Sequence, residues 1–254
     1  MSQLTSVDQI AYLDAAAATT IGRHYKRRAV DALDLRPGHA VVDVGCGPGT
    51  DLGRLADAVR PDGLVVGVDR DGRMLAEAAR RVAGRSGIDL RAGDAHGLPL
   101  DDASMDRVRI DRVLMHVDDP ATVLAQVRRV LRPGGVLAVT EPDWDTLAVA
   151  DDDVETSRRF ARFVAGRVRN PTVGRDLVRL SVRAGLRVRS VEAIAVVFED
   201  FGTADRILGL RRNSACAVTA GELTDTDAQA WLGRLTAGPS LASFTLYLVT
   251  AEAA

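Results

Sequence analysis

Apolar residues along this chain fall into two alternating rhythms. Strand-like runs at Val41 to Val44, Leu64 to Val68, 87–93, 106–111 and Val136 to Thr140 are separated by stretches in which apolar residues recur every three or four positions. Leu52, Leu55, Ala56 and Val59 show the second rhythm after the first run, and Met74 and Leu75 face inward after the second. A short apolar run reads as a strand covered on both faces, whereas a 3.6-residue period reads as a helix packed along one face. Their alternation predicts an α/β domain with a parallel sheet between helices. Residues 186–198 and 244–251 read as two longer strands, with helical stretches at 203–219 and 225–236 between them. Residues 7–34 are helical in pattern, with an alanine run at Ala15 to Ala18, and close at Arg36-Pro37-Gly38; residues 152–184 read as helices parted at Asn170-Pro171. Repeats, low-complexity segments and clear linkers are absent, so one domain over 1–254 is expected.

The first strand turns into its helix through Gly45, Cys46, Gly47, Pro48 and Gly49. Glycines at such a turn let backbone approach a bound ligand, as in nucleotide sites. The dinucleotide fingerprint wants its third glycine at the position of Thr50, and here Gly49 comes one residue early. Pro48 removes an N–H, and Asp43 places a carboxylate two residues ahead of Gly45. Both features disfavour a pyrophosphate, which wants N–H donors and no nearby anion. A ligand with a sulfonium and an ammonium beside adenosine suits the loop better.

Further acids follow in order. Asp69 ends the second strand 24 residues beyond Gly45, where a carboxylate accepts ribose hydroxyls. Arg70 and Met74 come next, and Asp71 caps the helix. The third strand leads into Gly93, Asp94, Ala95 and His96; His96 reads as an exposed loop residue. The fourth carries Arg109, which is odd for a buried strand and needs a partner. Two readings stand: Arg109 pairs with a neighbouring aspartate, or it and Arg112 bind a carboxylate of cofactor or substrate. Asp111, Arg112 and His116 should border the reacting group, because ligands of open α/β sheets sit outside the carboxyl ends of the strands. Leu131-Arg132-Pro133-Gly134-Gly135 reads as the turn before the fifth strand, which delivers Glu141, Asp143, Trp144 and Asp145 to the same edge.

Composition narrows the partners. The 33 basic and 35 acidic residues are interspersed, which leaves no field for a polyanion or membrane surface. Aromatic residues make up 4% of the chain, too few for stacking single-stranded bases. The arginines at 158, 159, 162, 167 and 169 lie among acids and read as a solvated helix face. Cys46 and Cys216 are the only cysteines, with no paired spacing, so neither a disulfide framework nor a cysteine metal site is expected. The start lacks a basic, apolar leader pattern, and no long apolar run occurs. A cytoplasmic protein, monomeric or homodimeric and free of nucleic acid, is the expectation.

The ordered set of the GxGxG loop, Asp69, Asp94-Ala95 and the LRPGG turn resembles the class I S-adenosylmethionine-dependent methyltransferases, particularly the group of ubiquinone and menaquinone methylating enzymes. RVLMHVDDP and EPDWD look like that group as well, whereas residues after 150 match only in architecture. The resemblance implies a Rossmann-like three-layer sandwich: a seven-stranded, mostly parallel sheet with an antiparallel last strand, plus a helical cap at about 200–243. It implies that residues 1–35 fold over the cofactor and that 36–150 bind it. S-adenosylmethionine would lie against Asp43, Gly45, Cys46, Gly47, Gly49, Asp69, Arg70, Met74, Gly93, Asp94, Ala95, Asp111 and Arg112, with Asp94 taking the adenine amino group. The acceptor, a small, partly apolar metabolite such as a natural product, would meet Tyr12, Tyr25, Arg109, Arg112, His116 and Trp144. His116 is the first candidate base, since imidazole titrates near neutrality, and Asp143 the second. No metal is needed. Two alternatives share the fold: an enzyme that binds the cofactor without methylating, and a regulatory protein.

Overall fold

The computed structural model describes residues 6–254. Five strands, β1 (Ala40–Val44), β2 (Leu64–Asp69), β3 (Ile88–Ala92), β4 (Met105–Asp111) and β5 (Leu131–Val149), run parallel. β6 (Leu186–Phe198) and β7 (Ala242–Ala253) complete a seven-stranded sheet in the order β3-β2-β1-β4-β5-β7-β6. β7 lies between β5 and β6 and is antiparallel to both, so it is the one reversed strand among those described. Strand order reverses at β1 and β4, which places a ligand crevice at their carboxyl ends.

Helices cover both faces because each crossover between parallel strands must pass over the sheet. α1 (Ser6–Ala18) and α2 (Thr20–Asp31) precede β1; α3 (Leu52–Val59), α4 (Gly72–Arg81) and α5 (Pro120–Val130) are crossovers. α6 (Val154–Gly166) and α7 (Val173–Arg183) follow β5, and α8 (Phe201–Leu208), α9 (Leu210–Thr219) and α10 (Asp225–Ala237) join β6 to β7. Phe160 of α6 and Trp231 of α10 meet with ring centroids 4.8 Å apart, and the Trp231 indole donates to Ser157 Oγ at 2.9 Å. Val173 and Leu177 of α7 pack with Leu114, Leu124 and Leu137 on the other face.

Three local readings are corrected. The N-terminal helical run is two helices, because Thr19 stops α1 and its hydroxyl caps α2 by accepting from the Gly22 N–H at 2.9 Å. The LRPGG segment is the start of the long β5, where Leu131 already pairs with Met105, and Glu141 to Trp144 lie within that strand rather than past it. The stretch at 203–219 is split at Gly209, whose φ of +64° ends α8 and begins α9.

Candidate active site

The glycine loop takes its shape from three left-handed residues, Gly45, Gly47 and Gly49, with φ of +68°, +54° and +76°. Two of them are also required by packing: a Cβ on Gly45 would meet Val113 Cγ2 at 2.4 Å, and one on Gly49 would meet Ala78 Cβ at 2.9 Å. A Cβ on Gly47 would meet only Leu13, at 3.8 Å, so this is where the loop backbone lies open. The Gly45 and Cys46 N–H groups tie the loop to β2 by donating to Val68 O at 2.7 and 3.0 Å. Gly47 N–H donates to Asp69 Oδ2 at 2.8 Å and Asp71 N–H to Asp69 Oδ1 at 2.9 Å, so Asp69 both ends β2 and braces the loop. Burial, with the charges of Asp43 and Asp69, pushes the Cys46 thiol far up, which leaves it an unreactive wall.

Beneath the loop lies a buried charge network. Arg109 donates to Asp43 Oδ1, Asp51 Oδ2 and Asp111 Oδ2, each at 2.8 Å. Lys26 of α2 reaches the same Asp51 and Asp111 oxygens at 2.5 and 2.7 Å. Burial alone would raise the Asp111 carboxyl, but the Lys26 and Arg109 charges hold it far below the usual range. Asp43, expected from the sequence to face a cofactor, is buried and gives its Oδ1 to Arg109 at 2.8 Å. Arg109 is likewise removed from the substrate face by its aspartate partners, and of its two readings the pairing is the one observed. Lys26 and Asp51 were not singled out from the sequence. Their one signal is that Lys26 is the only lysine of the chain.

At the end of β4 the chain turns at Arg112, whose φ is +57°. The turn is held from β5: Glu141, fully buried, accepts from the N–H groups of Val113, Leu114 and Met115 at 2.7, 2.6 and 3.2 Å. Burial pushes the Glu141 carboxyl up to about 8, with those three donors pulling the other way. Asn170, between α6 and α7, completes the brace by donating from Nδ2 to Leu114 O and Val117 O at 2.8 Å each. The sequence reading places Glu141 in EPDWD and Asn170 at a helix break, but neither position reveals that it braces this turn. His116 is exposed in this turn, and reduced solvation together with the Arg112 and Arg70 charges lowers its pKa, so it is neutral near pH 7.

Asp143 fails as a base. Its side chain is buried and paired with the guanidinium of Arg175 on α7, which leaves it neither access nor a free lone pair aimed at a ligand. Trp144 stacks on Phe244 with centroids 5.0 Å apart. Its Nε1 is buried without a partner among the described residues, as are Arg112 Nε and Asp111 Oδ1. Tyr25 is buried beside Arg112, and half-buried Tyr12 also lies within reach of that charge. Burial raises the Tyr25 phenol against the pull of Arg112, so it stays protonated.

On the β3 side, Asp94 Oδ1 accepts from the His96 N–H at 2.8 Å and contacts His96 Nδ1 at 2.5 Å. His96 Nε2 accepts from the Asp119 N–H at 3.2 Å; the ring is thus a bridge between two loops rather than a free loop residue. Gly93 is held tight, since a Cβ there would meet Pro99 Cδ at 2.8 Å, and Ala95 opens the short turn Ala95–Gly97. Met74 is buried on α4, while Arg70 is exposed and near enough to act on the charges of Asp94 and His116. Among the described residues, no group of three or more His, Cys, Asp or Glu side chains is arranged to hold a metal, and no helix is long and apolar enough to cross a membrane.

A ligand with an adenosine, a cationic centre and an amino-acid end fits this donor set. Asp69 and Asp94 retain lone pairs at the strand ends, Gly47 leaves backbone open, and Asp111 Oδ1 is a buried acceptor lacking a partner. Comparison with known proteins agrees. Residues 35–172 match a family described as methyltransferase domain. An uncharacterised 37.1 kDa protein from a Streptomyces fradiae transposon is 50% identical over 247 residues, covering 97% of this chain and 72% of that protein. Demethylmenaquinone methyltransferase of Renibacterium salmoninarum is 43% identical over 120 residues, covering 47% of this chain, and the match spans about half of that enzyme, 48%. Among solved structures, the 4+2 cyclase SpnF shares the fold with a TM-score of 0.59 at 21% identity, over 91% of this chain and 81% of that one.

Proposed function

The chain belongs to the methyltransferase-domain family, whose cofactor is S-adenosylmethionine, and from that membership we propose that it methylates O, N or C of a small, partly apolar metabolite. The observation that carries the reading is the β1–β4 switch point, where open Gly47 backbone, Asp69 and the unpartnered Asp111 Oδ1 stand at the carboxyl ends of β1, β2 and β4. Asp69 would accept the ribose hydroxyls, Asp94 the adenine amino group, and Asp111 Oδ1 the ammonium of the methionyl end. When bound, the cofactor supplies an electrophilic methyl group on a good leaving group, so the protein's task is orientation and exclusion of water. Tyr12 and Tyr25 would wall the crevice from the N-terminal side and Trp144 from β5, and neutral His116 would take a proton where the acceptor must lose one.

The arrangement of the N-terminal segment over the cofactor, of which residues 1–5 lie outside the described residues, with 36–150 as binding core and a cap at about 200–243, belongs to this proposal. So do a cytoplasmic location, a monomer or homodimer, and the absence of a nucleic-acid partner. Fold likeness to SpnF favours one second reading, in which the cofactor is bound but not consumed. Calorimetry with S-adenosylmethionine, S-adenosylhomocysteine and NAD in parallel tests the cofactor: binding of the first two without NAD supports the proposal, and binding of NAD alone overturns it. Product mass then separates the two readings, because only methyl transfer adds a CH2 to the acceptor.

A further inference from the structure

Asp94 takes the adenine amino group in the cofactor reading above, on which this inference rests, and its carboxylate is aimed by a neighbour. Asp94 follows β3 and opens the short turn Ala95–Gly97, where its Oδ1 accepts the His96 N–H at 2.8 Å as a cap. The cap needs only that backbone bond. A second donor nevertheless lands on the same oxygen: the His96 ring, whose Nδ1 lies 2.5 Å from Asp94 Oδ1. The other ring nitrogen, Nε2, faces the Asp119 N–H at 3.2 Å. A backbone N–H can only donate, so Nε2 is the acceptor and the ring proton sits on Nδ1, which donates to Asp94. Oδ1 is thereby filled from two directions, whereas Oδ2 has no donor among the described residues. The backbone and side-chain bonds from His96 also hold the Asp94 carboxyl below its usual range, which keeps Oδ2 anionic. The His96 side chain is 26% exposed and that of Asp94 52%, so a largely covered ring holds an open carboxylate.

We propose that His96 is a positioning residue for cofactor recognition: it pins Asp94 Oδ1 so that Oδ2 alone is presented to an exocyclic amino group, and so makes the site selective for adenine over purines that lack that group. A carboxylate held by one bond can still swing and exchange its two oxygens. The ring donor removes that freedom, and a ligand bond to a fixed acceptor costs less ordering than one to a mobile acceptor. A site built around such a bond rejects a ligand that cannot make it. The Asp119 N–H serves the same end, because by occupying Nε2 it fixes the tautomer that donates to Asp94. Asp119 caps α5 and follows the loop that bears His116, so the ring also ties the adenine side of the site to that loop.

The test is calorimetry on the full chain with S-adenosylhomocysteine and its 6-deamino analogue, in which hydrogen replaces the adenine amino group. The native chain should prefer S-adenosylhomocysteine by about tenfold or more, the scale of a hydrogen bond to a charged group. Two amide variants then separate the roles of the ring nitrogens. His96→Asn places an amide N–H near the position of Nδ1 and should keep the preference within about twofold of native. His96→Gln places its amide near the position of Nε2 and loses the donor to Asp94. It should reduce the preference by about threefold or more, through weaker S-adenosylhomocysteine binding with the analogue unchanged. If His96→Gln weakens both ligands by a common factor and leaves the preference intact, His96 belongs to loop structure and the proposal is overturned; an equal effect of the two amides on the preference also overturns it. Equal binding of the two ligands by the native chain removes Asp94 from the adenine and this proposal with it, while the cofactor stands. Failure of the native chain to bind S-adenosylhomocysteine overturns the methyltransferase reading itself.

Discussion

Asp43 of β1 and Arg109 of β4 are register partners across neighbouring strands, and their side chains close a 2.8 Å ion pair with 2% and 4% of their surface exposed. The pair sits at the strand ends that frame the crevice. It is continued by Asp51, Asp111 and Lys26, so β1, β4, the start of α3 and helix α2 share one network. Burying such charges contributes little net stability when all are paired, but breaking the set leaves an uncompensated charge in a medium that cannot solvate it.

Arg109→Leu should therefore destabilise the fold by about 3–5 kcal/mol, the usual cost of stranding a buried ionic partner. Asp43→Asn combined with Arg109→Leu should cost less than the sum of the single changes, since the two groups are coupled. Urea unfolding of the three variants measures this, and strict additivity would contradict a shared network.

Glu141 predicts an unusual pH dependence. Its folded pKa of about 8 lies above that of a carboxyl in an unfolded chain, so between the two the folded state holds a proton that the unfolded state has lost. The contribution is fully present below the unfolded pKa and is lost as pH rises through about 8, with a slope of at most about 1.4 kcal/mol per pH unit. Urea midpoints followed from pH 5 to 9 should fall, and Glu141→Gln should flatten that slope. A native chain whose stability rises over this range would place the Glu141 proton elsewhere.

Asp69→Ala should weaken S-adenosylhomocysteine binding by about tenfold or more, because the carboxylate is lost both as a ribose acceptor and as the brace on the Gly47 and Asp71 amides. Asp69→Asn keeps one oxygen and should fall between. Calorimetry reads the affinities and thermal melts confirm folding; unchanged affinity in both variants would release Asp69 from its role.

The fold was legible because it depends on local signals. The apolar runs around Val42 and Val66, the glycine turn and the capping aspartates each report on a few neighbouring residues, and each marks a real element. Helix breaks at Thr19 and Gly209 were missed because a single cap interrupts an otherwise continuous helical pattern. The site was legible only where a motif carries it. Asp69 stands at the expected strand end, but the partner of Asp143 is Arg175, 32 residues on, and that of Asp111 is Lys26, 85 residues away. Such pairings depend on how elements pack, and no spacing rule encodes them. Arg109 announced that it needed a partner; only the strand register says which one.

His116 gives the prediction that joins site to chemistry. Its imidazole is exposed in the turn braced by Glu141, and its lowered pKa keeps it neutral and able to accept a proton near pH 7. With an acceptor identified by product mass, His116→Ala should reduce kcat at neutral pH by about 10²-fold, the scale of one proton transfer, without altering S-adenosylhomocysteine affinity. If the lost function is proton removal, the deficit should shrink as pH rises past the acceptor's own pKa, where the oxyanion forms without help. Glu141 titrates in the same range, so the comparison is made as a ratio of variant to native at each pH, in which a change common to both proteins cancels. A ratio that recovers with pH identifies His116 as the proton acceptor. A deficit constant across pH assigns it to positioning the turn, and the absence of any deficit removes it from the reaction.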